Sequence, residues 1–157
     1  MTIPLNPKIR PVVTADLPAL KQVIDATKMF PSEMLDDMIA PYLADPAGSD
    51  IWFTYADPDP ISVAYCAPER MTEGTYNLYL IAVHPDFQSG GRGADMVHYI
   101  EEPLRGMGAR VLIVETSGLP AFERTRAFYA RIGYVEEARI REFYAAGEDK
   151  VVFWKGL

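Results

Sequence analysis

The sequence predicts an α/β protein on one mixed sheet of about seven strands and four helices, and three observations carry that reading. Short apolar runs of strand length alternate along the chain with amphipathic stretches of helical period. Their order is strand, helix, helix, three strands, helix, strand, helix, two strands, and a helix between strands implies a parallel crossover. At mid-chain, Gln88–Ala94 places three glycines between the end of a strand and the start of a helix.

Length and charge narrow the function. A chain of 157 residues fits one domain, residues 1–157. Its 49% hydrophobic and 24% charged residues are ordinary globular composition. A net charge of −7 with scattered basic residues argues against nucleic acid or an anionic membrane as main partner. The lone cysteine, Cys66, leaves no internal disulfide and no cysteine-rich zinc site, and reads as a small buried hydrophobe. His84 and His98 have no matching ligand cluster, so no metal is expected. With no signal-like opening and no apolar run of about 18 residues, a soluble cytoplasmic protein is expected.

Each element has its own signal. Met1–Lys8, with two prolines, reads as a frayed arm. Ile9–Val13 reads as a strand, at an edge because of Pro11. Thr14 or Asp16 can cap a helix carrying Leu17, Leu20, Val23 and Ile24, with Pro18 in its first turn and a stop near Lys28. After Met29-Phe30-Pro31, Ser32 and Glu33 start a second helix with Met34, Leu35, Met38, Ile39 and Leu43 on its apolar face. Ile51–Ala56 and Ile61–Ala67 form an antiparallel hairpin around the turn Asp57-Pro58-Asp59-Pro60. Thr75–Val83 is the next strand, and its apolar part, Leu78–Val83, matches a fully buried run. The following helix carries Ala94, Val97, Ile100 or Glu101, and Leu104; Pro103 interrupts it, and Gly106 and Gly108 end it. Val111–Val114 is a buried strand continuing through Ser117. Pro120–Arg131 is a helix closed by Gly133, and Tyr134–Glu142 and Lys150–Lys155 are the last strands.

The glycines let the backbone of Gln88-Ser89-Gly90-Gly91-Arg92-Gly93-Ala94 turn freely and come close to a ligand. The helix start adds unpaired N–H groups and a positive dipole end, which together suit a phosphate or pyrophosphate. A nucleotide P-loop would need Gly-Lys-Ser/Thr where Gly91-Arg92-Gly93 stands. A dinucleotide fingerprint would need a glycine at Met96 and a tight turn straight after the strand. A plain glycine-rich turn without a ligand stays open on these residues alone.

The pattern Gln-x-x-Gly-x-Gly at Gln88, Gly91 and Gly93, after Ile81-Ala82-Val83-His84-Pro85, resembles the pyrophosphate loop of the GNAT superfamily of acyl-CoA N-acyltransferases. Thr125-Arg126-Ala127-Phe128-Tyr129-Ala130-Arg131-Ile132-Gly133-Tyr134 resembles the family's Phe/Leu-Tyr-x-x-x-Gly-Phe/Tyr segment. The element order is also that of the family and covers nearly the whole chain. Many relatives carry an asparagine and then an alanine where this chain has Phe122 and Thr125, so the asparagine's usual CoA contact would fall to the Thr125 hydroxyl. The ending from Tyr134 to Phe153 resembles a bacterial group of small-molecule-type members with a Phe-Tyr-x-x-Gly-Asp/Glu-Asp-Lys hairpin.

The resemblance implies an N-acetyltransferase with acetyl-CoA as co-substrate, acting on a primary amine of a small molecule by direct attack in a ternary complex. Transfer to a protein lysine or N-terminus, and a non-catalytic acyl-CoA-binding regulatory domain, are its alternatives. On that reading Gln88, Ser89, Gly90, Gly91, Arg92, Gly93 and Ala94 fix the pyrophosphate. Ile81, Ala82 and Val83 hold the pantetheine arm along a free strand edge, a backbone N–H near Ile81 polarises the thioester carbonyl, and Thr125 and Phe128 add cofactor contacts. Tyr129, whose counterpart in relatives commonly lies near the CoA sulfur, donates a proton to the leaving thiolate, since a phenol of pKa about 10 is protonated at neutral pH. The amine must lose a proton, and Glu115 and Glu73 are the candidate bases, each with a structural or surface role in competition. His84 could relay protons. Phe30, beside Met29 and Met34, and Tyr144 are candidate acceptor contacts, while Phe143 and Tyr144 fit the acceptor or the second subunit of a homodimer.

Overall fold

A computed structural model describes residues 6–157. Its elements are β1 (Ile9–Pro11), α1 (Leu17–Thr27), α2 (Leu35–Ala44), β2 (Ile51–Tyr55), β3 (Ser62–Pro68), β4 (Thr75–Val83), α3 (Arg92–Gly106), β5 (Val111–Ser117), α4 (Glu123–Arg131), β6 (Val135–Ala145) and β7 (Glu148–Gly156), in the expected order. The seven-stranded sheet runs β1-β2-β3-β4-β5-β7-β6. β4 and β5 are parallel, as a helical crossover requires, while β1–β2, β2–β3, β5–β7 and β6–β7 are antiparallel. The chain divides into two compact units: the described part of Met1–Ala67 with Tyr79–Pro103, and Pro68–Leu78 with Leu104–Leu157.

In the first unit, Leu20, Val23 and Ile24 of α1 share a face by their three- and four-residue spacing, as Leu35 and Ile39 of α2 do. They pack with Tyr42, Trp52, Val63, Leu80 and Ala82 into one cluster, and full burial of each large apolar side chain stabilises by about 1.5–3 kcal/mol. α1 stops where Lys28 turns left-handed, at φ 55°. Neither expected cap of α1 is a side-chain cap. Asp16 instead turns back to accept the Val13 N–H at 2.9 Å and to pair with Arg10 at 2.7 Å. α2 starts later than expected, because Ser32–Met34 forms a separate 3-10 turn and Met34 is left exposed.

The arm expected over Met1–Lys8 lies outside the described residues as far as residue 5. Its described end is tied down: Asn6 donates to Asp95 at 3.2 Å, and the Lys8 ammonium meets Asp57 at 2.8 Å.

β4 is not the fully buried run expected. Glu69 N–H bonds the Thr75 carbonyl and His84 N–H bonds the Ile61 carbonyl, so β4 spans one residue more than β3 between those two bonds. That extra residue is a β-bulge. Tyr79 stacks on Tyr65, while Leu80 joins the core cluster containing Val63, so both turn toward the same face. The bulge therefore falls at Tyr79–Leu80, and Tyr79 is left 48% exposed.

In the second unit, β5 pairs with β7 from Val111↔Gly156 to Ser117↔Lys150, and Leu112, Val114, Val151 and Phe153 are buried. β6 is the outermost strand and is exposed along its length. Both last strands run further than expected, to a turn at Ala146-Gly147 in which Gly147 takes φ 78°. Pro103 does not interrupt α3, which runs on to Gly106. A proline costs the helix only its own missing N–H and a clash one turn back. Here the last turn is closed by Leu104, buried, whose carbonyl accepts from Met107 and Ala109.

Candidate active site

The glycine loop belongs to the first unit. β4 ends at Val83, a 3-10 turn follows over Pro85–Phe87, and the chain enters α3 at Arg92. Gln88 shapes this path by donating its side-chain amide to the Val83 carbonyl at 2.9 Å. Ser89 and Gly91 both take left-handed backbone, at φ 67° and 79°. The Gly91 carbonyl accepts the Asp95 N–H at 3.0 Å, the first bond of α3. The N–H groups of Arg92, Gly93 and Ala94 precede that bond, so no earlier helical carbonyl serves them. No heavy atom lies within 4 Å of where a Gly91 side chain would begin. Unpaired donors at a positive helix end with open space before them fit a pyrophosphate.

The Arg92 side chain takes no part in that surface. Its guanidinium donates to the Phe87 carbonyl at 3.1 Å and lies over the Phe87 and Tyr55 rings. Only the backbone of Arg92 is left at the open side of the loop. Gly90 lies against the same group, since a side chain there would begin 2.6 Å from the Arg92 Nη1.

The β4–β5 ladder joins Thr75, Tyr76 and Asn77 to Val111, Leu112 and Ile113, and among the described residues it ends there. Leu78–Val83 therefore carry a backbone edge outside it. Alternate residues of a strand direct their N–H and C=O to the same side. Because His84 bonds Ile61, Ala82 also points toward β3, and Ile81 and Val83 point to the open edge. The edge contact expected of Ala82 thus passes to its neighbours, and the Val83 carbonyl is already occupied by Gln88.

In the second unit, α4 carries Tyr129, 3% exposed, within ring contact of Phe128, Tyr134 and Phe153. Burial pushes its phenol well above the ordinary range, so it stays protonated throughout neutral pH. Its hydroxyl has no hydrogen-bond partner among the described residues. Thr125 and Phe128 on the same helix are half-buried, and Phe122 is exposed. A residue that sequence reasoning passed over holds this helix: Arg126 donates from Nη1 to the carbonyls of Ser117 at 2.7 Å and Leu119 at 2.9 Å. An arginine inside the recognised segment was the available signal.

The two glutamates fare differently. Glu115 on β5 pairs with Lys150 at 2.9 Å, and that ammonium sits 4.1 Å from the Phe143 ring centre. Glu73 lies in the turn where Gly74 accepts the Arg110 and Val111 N–H groups, at the N-terminal ends of the parallel strands, and its own carbonyl accepts from Arg110. Ligands in such sheets gather at carboxyl ends, which favours Glu115 over Glu73 as the base.

The remaining candidates are structural or lie elsewhere. His84 accepts the Asp86 N–H at 3.1 Å on Nδ1, closing the 3-10 turn. His98 is half-buried on α3. Cys66 is fully buried, which pushes its thiol up to about 12 and leaves it inert. Phe30 packs on the core of the first unit. Tyr144 stays partly exposed in the second unit beside Phe143, its phenol raised by burial and by nearby Glu115. Among the described residues no cluster of His, Cys, Asp or Glu could hold a metal, and no helix is long and apolar enough to cross a membrane.

Comparison with known proteins agrees with this fold. The chain is similar over 94% of its length, at 31% identity and a TM-score of 0.86, to a structure from Desulfovibrio desulfuricans assigned to the GNAT family of acetyltransferases, of which it covers 97%. An aminoglycoside 6'-N-acetyltransferase complexed with coenzyme A shares the fold, with a TM-score of 0.76 at 13% identity, 94% of this chain and 96% of that one being covered. Amino-acid acetyltransferase of Pseudomonas aeruginosa is 39% identical over 51 residues, 32% of this chain, which spans 12% of the length of that curated relative. The model of the acetyltransferase (GNAT) family matches residues 17–134, and the chain belongs to that family.

Proposed function

We propose that the protein, as a single catalytic domain, transfers an acetyl group from acetyl-CoA to a primary amine of a small molecule. The observation that carries this reading is the start of α3, where the N–H groups of Arg92, Gly93 and Ala94 have no helical partner and Gly91 opens space in front of them. A bound acyl-CoA supplies a thioester whose carbonyl an amine can attack. The protein's part is to hold, polarise and move protons.

Backbone N–H groups of the loop neutralise the pyrophosphate without spending a side chain on it. The N–H of Ile81, on the open edge of β4, is the donor for the charge that develops on the thioester carbonyl, and a donor fixed in advance lowers the barrier. Tyr129 keeps its proton at working pH because burial disfavours the phenolate. It is the donor for the departing sulfur. Glu115 is the favoured base, and accepting the amine's proton requires it to loosen its pair with Lys150. Holding both reactants together removes the entropy of their encounter before the bond forms.

Thiol release from acetyl-CoA, followed across a panel of small primary amines and a lysine peptide, tests this reading. Turnover with one or more small amines, falling about 10²–10⁴-fold in Tyr129→Phe, is the expected result. Turnover confined to the peptide would move the acceptor to a protein. Binding without any turnover would make the chain an acyl-CoA-binding module.

A further inference from the structure

Two side chains three residues apart tie α4 to the rest of the second unit. One is Tyr129, the buried residue of the helix, in ring contact with Tyr134 and Phe153. The other is Arg126, whose Nη1 donates to the carbonyls of Ser117 at 2.7 Å and Leu119 at 2.9 Å. The helix has nine residues, most of them exposed, and no side chain caps its start. So short a helix takes its place from tertiary contacts, not from its own propensity. One packed ring fixes a point of the helix, and a second fixed point is needed to set its direction.

The carbonyls that Arg126 holds are themselves held. The Leu119 N–H donates to the Ser117 Oγ at 3.1 Å, and the Gly118 N–H donates to the Asp149 carbonyl at 2.9 Å. The loop after β5 is therefore tied to β7. Arg139, paired with Asp149 at 3.0 Å, lies against the same loop, since a side chain at Gly118 would begin 2.7 Å from its Nη1. Arg126 thus joins α4 to a braced loop, at a position that shares a helix face with Tyr129.

Resting on the acid role of Tyr129 proposed above, we propose that Arg126 is a positioning residue for the transfer. It sets the direction of α4 and so the place of the Tyr129 hydroxyl, and its Nη1 serves backbone carbonyls, not a reactant. A proton donor must meet the sulfur at hydrogen-bond distance, and an error of about 1 Å in such a placement can cost about 10²-fold in rate. Arg126 therefore governs kcat, while the hold on acetyl-CoA stays with the loop at the start of α3.

Thiol release from acetyl-CoA, with ethanolamine, putrescine, tyramine and a lysine peptide as acceptors, compares wild type, Arg126→Gln, Tyr129→Phe and the double variant below their melting transitions. Calorimetry reads acetyl-CoA affinity and thermal melting reads folding. The expected result is a kcat about 10²-fold lower in Arg126→Gln, with affinity unchanged within about threefold. The same substitution made in Tyr129→Phe should lower kcat by less than about threefold, because the group it positions is already gone. Arg126→Lys, which keeps a charged donor, should recover about tenfold of the loss and carries the same test if Arg126→Gln does not fold. Additive losses in the double variant, a kcat loss matched by lost affinity, or full kcat in a folded Arg126→Gln would each overturn the positioning role alone. Turnover that Tyr129→Phe leaves intact would end the acid role and this inference with it, and no wild-type turnover with any of the four acceptors would end the acetyltransferase reading as well.

Discussion

Between Gln88 and Ala94 the protein leaves backbone donors unpaired at a surface, whereas around Tyr129 it buries a phenol among the rings of Phe128, Tyr134 and Phe153. On the proposed function the loop acts through its backbone, so most of its side chains are replaceable, and Gly91 is the glycine at which a side chain would strain the backbone. On the proposed function Tyr129 acts through its side chain, the ring for packing and the hydroxyl for chemistry. One region should therefore respond to changes in backbone freedom, and the other to changes in single atoms.

The largest effect should separate ring from hydroxyl. Tyr129→Ala empties a space between three rings and should cost about 3–5 kcal/mol in urea unfolding, the range for large aromatic truncations. Tyr129→Phe keeps the ring and strands no partner, so its stability should stay within about 1 kcal/mol of wild type while turnover collapses. A large stability loss in Tyr129→Phe would mean that the hydroxyl holds the fold, and the contrast would fail.

Acid should act on the first unit through Asp16. Its carboxylate is buried, and its pKa is held below the ordinary value chiefly by the hydrogen bond from Arg10. A depressed folded-state pKa contributes stability that is fully present above the unfolded value of about 3.9 and is lost as pH falls through the folded one. Asp16→Asn should cost about 1–3 kcal/mol at pH 7 and lose proportionately less between pH 5 and pH 2. Parallel pH curves for the two proteins would contradict that linkage.

Smaller effects fall on the loop. Gly91→Ala meets open space but an unfavourable φ, and should cost about 1–2 kcal/mol through the backbone alone. Gln88→Ala removes one hydrogen bond to Val83 and should cost about 0.5–1.5 kcal/mol, with a modest loss of acetyl-CoA affinity as the turn relaxes. Arg92→Ala should change affinity least, because its guanidinium lies over Tyr55 and Phe87 instead of facing the loop's open side. A severe affinity loss in Arg92→Ala would show that side-chain charge, not backbone, holds the anion.

Much of this was legible in the sequence, and what was not has physical causes. Element order and the β4–β5 crossover follow from hydrophobic period, which reports locally. The glycine loop follows from residues adjacent in the chain. The bulge at Tyr79–Leu80 cannot be read this way, because it exists only as a mismatch between β3 and β4. It turned an apparently buried run into a strand with an exposed tyrosine and an alanine facing the wrong edge. The stack of Trp52, Tyr65 and Tyr79 is invisible for the same reason, being a product of register across 27 residues of chain. Pro103 misled because a helix tolerates a proline when its last turn is anchored, as Leu104 anchors this one. Glu73 looked well placed in sequence beside the central strand, and only strand direction shows that it lies at the N-terminal ends of β4 and β5.

The central claim is that the backbone at the start of α3 holds acetyl-CoA. Its most direct test is calorimetric titration of wild type and Gly91→Glu with acetyl-CoA, with thermal melting of both. Wild type should bind, and the variant should lose at least about 100-fold in affinity, since it sets a carboxylate against a pyrophosphate and forces a side chain onto left-handed backbone. Absent binding by folded wild type, or equal binding by both proteins, would contradict the account.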